Sequence, residues 1–351
     1  MEVHAVAVVT YERRKQIGVG QGMNSTVYLA DDPQLGATIA VKEISKANFG
    51  NTVAGYFAEA QAMFETQHPN VVAIRYACEL PDDICLAMPY YKNGSLADRI
   101  GDRPLALSEV LRVARGVLAG LARIHATNYV HFDVKPSNVL FSDKDVPMVA
   151  DFGQSRAISA TGVVTVPDLY ENALPPEVLN GGVGSILADI YQMGLLLYRA
   201  VNGDQMYQAQ VVPDQGVMQE RIAKGKFPDR RRFMPHVPKR LRTIIRTALC
   251  VDATKRYQSA TEMTDALNRM PLKTNWTVKP LPGGGTRWRA ARAGRAKLIV
   301  ELTPNGQDWC VETFTKGAEK RALGKAANWR AALSKSAAAA HLKDVFERLQ
   351  E

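Results

Sequence analysis

At 351 residues, with 46% apolar and 23% charged side chains, the chain has the composition of a protein that buries a core, sized for one two-lobed domain or two ordinary ones. No apolar run approaches the roughly 18 uninterrupted residues of a membrane-spanning helix, and MEVHAVAVVTYERRK places its basic residues after its apolar ones, unlike a secretory signal, so a cytoplasmic protein with no membrane partner is expected. The net charge of +9 is gathered at one end: 15 Lys and Arg face 7 Asp and Glu from Pro271 to Glu351, against 29 and 28 before it.

Strand-like runs come first: TVYLA (Thr26–Ala30), TIAVKEI (Thr38–Ile44), VVAIRYA (Val71–Ala77) and ICLAMPY (Ile84–Tyr90). A helical spacing of apolar positions, Val53–Gln67, interrupts them. After Ser95 the balance reverses. LSEVLRVARGVLAGLARIHAT has Leu107, Val110, Leu111, Ala114, Val117, Leu118, Leu121 and Ile124 on one helical face, with Ser108 as its expected N-cap. Two more buried helices follow, in ADIYQMGLLLYRAV and RLRTIIRTALCV. A break at PLKTNWTVKPLPGGGTRW, dense in proline and glycine, marks the expected start of a smaller unit at residue 271. There NWTVKP, TRWRAARAG, AKLIVELT and DWCVETFT read as four strands, followed by helix from about Ala326 to Gln350. The four cysteines lack metal-ligand spacing and are expected to be reduced thiols, without structural zinc.

Several polar groups are out of place in this pattern. GVGQGMNSTV (Gly18–Val27) is a glycine-dense turn before a strand, which lets backbone N–H groups approach phosphate oxygens, though many ordinary hairpins share this composition. Lys42 sits inside the apolar strand IAVKEI, where its ammonium needs a carboxylate or a phosphate; Glu59 is the candidate counter-ion. VHFDVKPSNVL (Val130–Leu140) groups Asp133, Lys135 and Asn138, and ADFG adds Asp151 eighteen residues after Asp133. Oxygen ligands for a metal, cations for phosphates and a carboxylate for a hydroxyl are what phosphoryl transfer needs.

These motifs, in this order, resemble the eukaryotic-type (Hanks-type) serine/threonine protein kinase family, of bacterial kind, over about residues 11–270. HPNVV (His68–Val72), PPE (Pro175–Glu177), DIYQMGLLLY (Asp189–Tyr198) and Arg256 extend the likeness. It implies an α+β bilobal fold, with a β-rich N-lobe over about 11–91 and a helical C-lobe over 92–270; outside the likeness, the strand and helix pattern of 271–351 is expected to give a small basic α+β module. It implies an ATP-dependent protein kinase using Mg2+, with Mn2+ as a substitute, and autophosphorylating. In that likeness Asp133 orients the substrate hydroxyl, Lys135 meets the transferred phosphate, and Asn138 and Asp151 hold the metal. Gly20, Gly22 and Ser25 belong to the glycine-rich loop, Lys42 holds phosphates, and Glu59 fixes Lys42. Val27, Ala40 and Leu140 wall the adenine slot, Met88 closes its back, and Pro89–Tyr91, with Tyr90 at its centre, is the hinge. His131 and Asp189 are expected to be structural, and Glu177 and Arg256 to pair.

The chain departs from that family at four positions. Ser25 stands where a third loop glycine is common, Pro175 replaces the alanine of Ala-Pro-Glu, and Tyr170 stands where a threonine is usual. Phe132 replaces the arginine before the catalytic aspartate, the variation called non-RD. That arginine receives a phosphate on the activation segment. A phenyl ring cannot, so the segment Gln154–Leu174 is expected to act without phosphorylation, although Thr161 and Thr165 lie in it.

Small-molecule phosphotransferases share the Asp-x-x-x-x-Asn spacing; Lys135, PPE and Arg256 weigh against them. A pseudokinase scaffold is opposed by the complete set of Lys42, Glu59, Asp133, Asn138 and Asp151. In the tail, Arg287 and Arg289 share one strand face and Trp288 the other. Three readings follow: a nucleic-acid contact with Trp288 stacking, an acidic protein partner through which the module targets the kinase, or a solvated basic face over a core that includes Trp288. The last is preferred.

Overall fold

The computed structural model describes residues 8–18, 25–49, 57–101, 103–159, 164, 166, 174–292, 295–315 and 329–350. The N-terminal sheet has β1 (Glu12–Ile17), β2 (Ser25–Asp32), β3 (Ala37–Ser45), β4 (Tyr76–Glu79) and β5 (Asp83–Pro89), in the order β1-β2-β3-β5-β4, with every pairing antiparallel. Helix α1 (Ala58–Glu65) interrupts the strands, as its spacing predicts, and residues 53–56 of the expected span lie outside the described residues. β1, ERRKQI, escapes the sequence pattern because it is an exposed edge strand whose charge masks its alternation. VVAIRYA becomes strand only from Tyr76. Val71 and Val72 are buried instead against the C-lobe, where the Val72 N–H donates to Val149 O at 2.9 Å.

The second lobe is built on α2 (Leu107–Ala126), α3 (Ile186–Asn202), α4 (Lys239–Ala248) and α5 (Ala260–Asn268). The apolar face of α2 is buried as its period requires. Its cap is not Ser108. Ala106 is the N-cap and has no side-chain acceptor, and the Ser108 N–H donates to Asn275 Oδ1 at 2.9 Å, from the far end of the chain. Gly120 lets α2 approach the opposite loop, since a Cβ there would lie 2.5 Å from Asn70 O. Between α2 and α3 run two short antiparallel ladders, β6 (Tyr129–Val130) with β9 (Arg156–Ala157), and β7 (Val139–Phe141) with β8 (Pro147–Val149). Arg256 is buried and forks onto Glu177 at 2.8 and 2.6 Å, the expected pair.

The C-terminal residues form an antiparallel sheet in sequence order, β10 (Asn275–Pro280), β11 (Thr286–Arg292), β12 (Arg295–Asn305), β13 (Asp308–Thr315) and β14 (Trp329–Leu333), then α6 (Lys335–Gln350). β14 lies where helix was expected, because pairing of Trp329 with Glu312 and Arg330 with Val311 overrides the helix propensity of an alanine-rich stretch. Trp276, Trp288, Val300 and Val311 face inward onto Ala338, Leu342 and Phe346 of α6, in one core continuous with the helical lobe. Trp288 is only 2% exposed and its Nε1 donates to His236 Nδ1 at 3.2 Å. A stacking role toward nucleic acid is therefore corrected: the ring is core, under a strand whose Arg289 is exposed and whose Arg287 pairs with Glu301. The four cysteines are free thiols, and among the described residues no helix is long and apolar enough to cross a membrane.

The His236–Trp288 contact makes this junction acid-sensitive. Accepting the indole N–H requires an unprotonated Nδ1, and burial pushes the His236 imidazole down to about 3. The unfolded chain takes up the proton near pH 6.5, so the contribution is full above that pH and is lost as pH falls toward 3, by up to about 1.4 kcal/mol per pH unit. The thermal midpoint should fall between pH 7 and pH 5, and His236→Gln, which can still accept the indole N–H, should fall less. Equal acid slopes in the two proteins would contradict this assignment.

Candidate active site

The site begins with a charge placed in an apolar sheet. β3 runs between β2 and β5, so Lys42 pairs Val27 on one side and Leu86 on the other. Its ammonium is buried and bonds Glu59 Oε1 and Oε2 at 2.7 and 3.0 Å and Asp151 Oδ1 at 2.7 Å. Burial alone would lower the Lys42 pKa, but the Asp151 and Glu59 carboxylates outweigh it and hold it above the ordinary lysine value. For Asp151, burial pushes up and Lys42 pulls down, with a net value of about 2. Burial raises the Glu59 carboxyl above its ordinary value, with Lys42 opposing.

The loop after β6 is suspended from α3. Asp189, fully buried, accepts the His131 N–H at 2.9 Å on Oδ2 and the Phe132 N–H at 2.8 Å on Oδ1, while His125 Nε2 lies 2.8 Å from Oδ2. Gln192, one helical turn on, accepts the Val134 N–H at 2.9 Å and donates to Phe132 O at 2.5 Å. These bonds hold Phe132 at φ 62°, a left-handed conformation unusual for a phenylalanine. His131 is structural as expected: Nε2 lies 3.1 Å from Ala150 O, joining this loop to the one bearing Asp151.

Asp133 is thereby fixed beside its partners. Lys135 Nζ and Asn138 Nδ2 both donate to Asp133 Oδ2, at 2.7 and 2.8 Å, and Asn138 Nδ2 also reaches Asp133 O at 3.0 Å. A cleft of about 350 Å³ opens between the lobes, and Ser25, Lys42, Glu59, Asn138 and Asp151 line its polar end. Val27, Ala40, Met88, Tyr90 and Leu140 line it as well. Asp133 and Lys135 do not line it and are joined to it through Asn138. Gly20 and Gly22 lie outside the described residues.

Two apolar cleft residues, Ile17 and Val72, escape sequence reasoning, although Ile17 directly precedes the glycine turn and Val72 closes HPNVV. Gln192 escapes it too. Its signal is a polar side chain three residues after Asp189, on the same face of an otherwise apolar helix. An open cleft with apolar walls and with cations, carboxylates and a carboxamide in its lining can seat a flat ring beside a metal-bound polyphosphate.

Residues 11–268 match the protein kinase domain family. The chain is 28% identical over 255 residues to the probable serine/threonine-protein kinase PknB of Lactococcus lactis, covering 70% of this chain and 40% of that protein. It is 29% identical over 254 residues to the serine/threonine-protein kinase PrkC of Bacillus subtilis, covering 70% and 38%. Similarity to the DNA damage-responsive serine/threonine-protein kinase RqkA of Deinococcus radiodurans is 28% over 341 residues, covering 85% of this chain and 49% of that protein. The chain thus spans about two fifths of the length of the first two relatives.

The Asp189 anchor is open to direct test. In Asp189→Asn one oxygen becomes an NH2 that must oppose a donated N–H, and an unsatisfied buried donor costs about 1–3 kcal/mol. The thermal midpoint should fall by several degrees. An unchanged midpoint would mean that the loop does not hang from this carboxylate.

Proposed function

Because the chain belongs to the protein kinase domain family, we propose that its interlobe cleft binds ATP and transfers the γ-phosphoryl group to serine or threonine hydroxyls of proteins. The observation that carries this reading is the meeting of Lys42 and Asp151 at the end of an apolar slot, with Asn138 bonded to Asp133 beside them. The adenine ring would lie between Val27, Ala40 and Leu140, with Met88 behind it and the backbone around Tyr90 bonding its edge. Lys42, held by Glu59, would leave Asp151 for the α- and β-phosphates.

Asn138 and Asp151 would hold the divalent cation. A carboxamide and a carboxylate are hard oxygen donors suited to Mg2+ or Mn2+, and the Lys42 ammonium 2.7 Å from Asp151 Oδ1 supports this reading by setting a positive charge against the carboxylate. When bound, the cation supplies charge neutralisation on the phosphates. Asp133 would take the proton of the attacking hydroxyl on Oδ1, since Lys135 and Asn138 both engage Oδ2. As the new O–P bond forms and the bond from Pγ to the bridging oxygen breaks, Lys135 would stabilise the charge on the moving group. With Phe132 in place of an arginine, the activation segment would work without a phosphate. Autophosphorylation, at Thr161 or Thr165 among others, would accompany activity without being required for it.

Asp133→Asn keeps the shape and removes the base, so transfer of labelled phosphate to a generic protein substrate should fall to background; undiminished labelling would refute the assignment. Replacing both Thr161 and Thr165 by alanine should leave that transfer within about twofold, a difference of under half a kcal/mol in the barrier. A collapse in the double variant would show that the segment needs its phosphate.

A further inference from the structure

Phe132 is more than a missing arginine. Its ring is fully buried in an apolar cluster of its own, with Val130, Val164 and Ala188, against which Ile158 and Ile186 pack. Val164 belongs to the activation segment and is bridged, antiparallel, to Gly184 just ahead of α3. Gly184 leaves no room for a side chain: a Cβ there would lie 2.5 Å from Phe132 Cζ, 2.9 Å from Cε1 and 3.0 Å from Val166 Cγ2. The other end of the segment is tied by the Ile158 N–H to Asn128 O at 2.7 Å and by the β6–β9 ladder.

We propose that the Phe132 ring, seated on Gly184 and Val164, is an apolar lock that positions both the activation segment and Asp133, and that Gly184 is the residue that makes the seat. The inference rests on the kinase reading of this site and adds a positioning pair to it. The physical link is short. The Phe132 N–H is bound to Asp189 and its carbonyl to Gln192, so the main chain of Phe132 cannot absorb a push on its ring without shifting one of these bonds. The next residue is Asp133. A link made of buried van der Waals contact carries no dependence on a phosphate charge and little on salt.

A compensating pair of substitutions tests this on the full chain. Gly184→Ala forces a methyl into the ring and should lower kcat about tenfold or more, with the KM for ATP unchanged, because no cleft-lining residue is touched. Phe132→Leu, which removes the ring atoms that fill the seat, should itself lower kcat severalfold, less than Gly184→Ala does. Phe132→Leu combined with Gly184→Ala should recover to the level of Phe132→Leu alone. Chymotryptic cleavage between Gln154 and Leu174 should follow the same order, fastest in Gly184→Ala, intermediate in Phe132→Leu and in the double variant, and slowest in the parent.

Full activity in Gly184→Ala, or a double variant as impaired as Gly184→Ala, overturns the lock and leaves the kinase reading standing. If no protein in the series transfers phosphate but cleavage follows the predicted order, the kinase reading falls and the lock stands.

Discussion

Lys42 is where two lobes of opposite construction are joined by charge. Its ammonium is carried into a sheet by an apolar strand and loses its water there, at a desolvation penalty of several kcal/mol that only close carboxylates can offset. One of these, Glu59, comes from the helix of the β-rich lobe, and the other, Asp151, from the loop after β8 in the helical lobe. This contact bridges the lobes where Lys42, Glu59 and Asp151 line the cleft, and Met88 to Lys92 line it where the chain leaves β5 for the helical lobe. A phosphate and a metal would satisfy the same charges separately.

The loop that carries Asp133 is held from beneath. α3 is apolar on nearly every face, and two of the polar side chains it buries, Asp189 and Gln192, are directed at the backbone of residues 131–134. Every amide in that stretch that the helix satisfies is one that water need not, so the loop keeps a left-handed residue at Phe132 and presents Asp133 at a fixed angle. Support also comes from the chain's end. Asn275 caps α2, the helix that leads into this loop, and Trp288 reaches His236 within the same lobe.

Much of the site was legible because phosphoryl-transfer chemistry imposes residue types at short, fixed spacings: Asp133, Lys135 and Asn138 stand within one loop, and Lys42 stands out against its strand. The bilobal fold followed from the change of hydrophobic period after Ser95. What escaped depends on distant partners. β14 exists because β13 offers it an edge, and the α2 cap comes from a residue more than 160 positions away. Val71 and Val72 look like strand yet serve as apolar mortar between lobes, and β1 hides behind its own charge. The basic strip around Trp288 carries no local mark of which face is core; only the register of the sheet and the helix laid on it decide.

The proposed joint nucleotide and metal site rests on the Lys42–Asp151 contact. Calorimetric titration with a nonhydrolysable ATP analogue, with and without Mg2+, tests this most directly, in the full chain and in Asp151→Asn. Mg2+ should tighten binding about tenfold or more in the unsubstituted protein, about 1.4 kcal/mol, and Asp151→Asn should abolish that gain. Equal affinity with and without Mg2+, or an undiminished gain in Asp151→Asn, would contradict it.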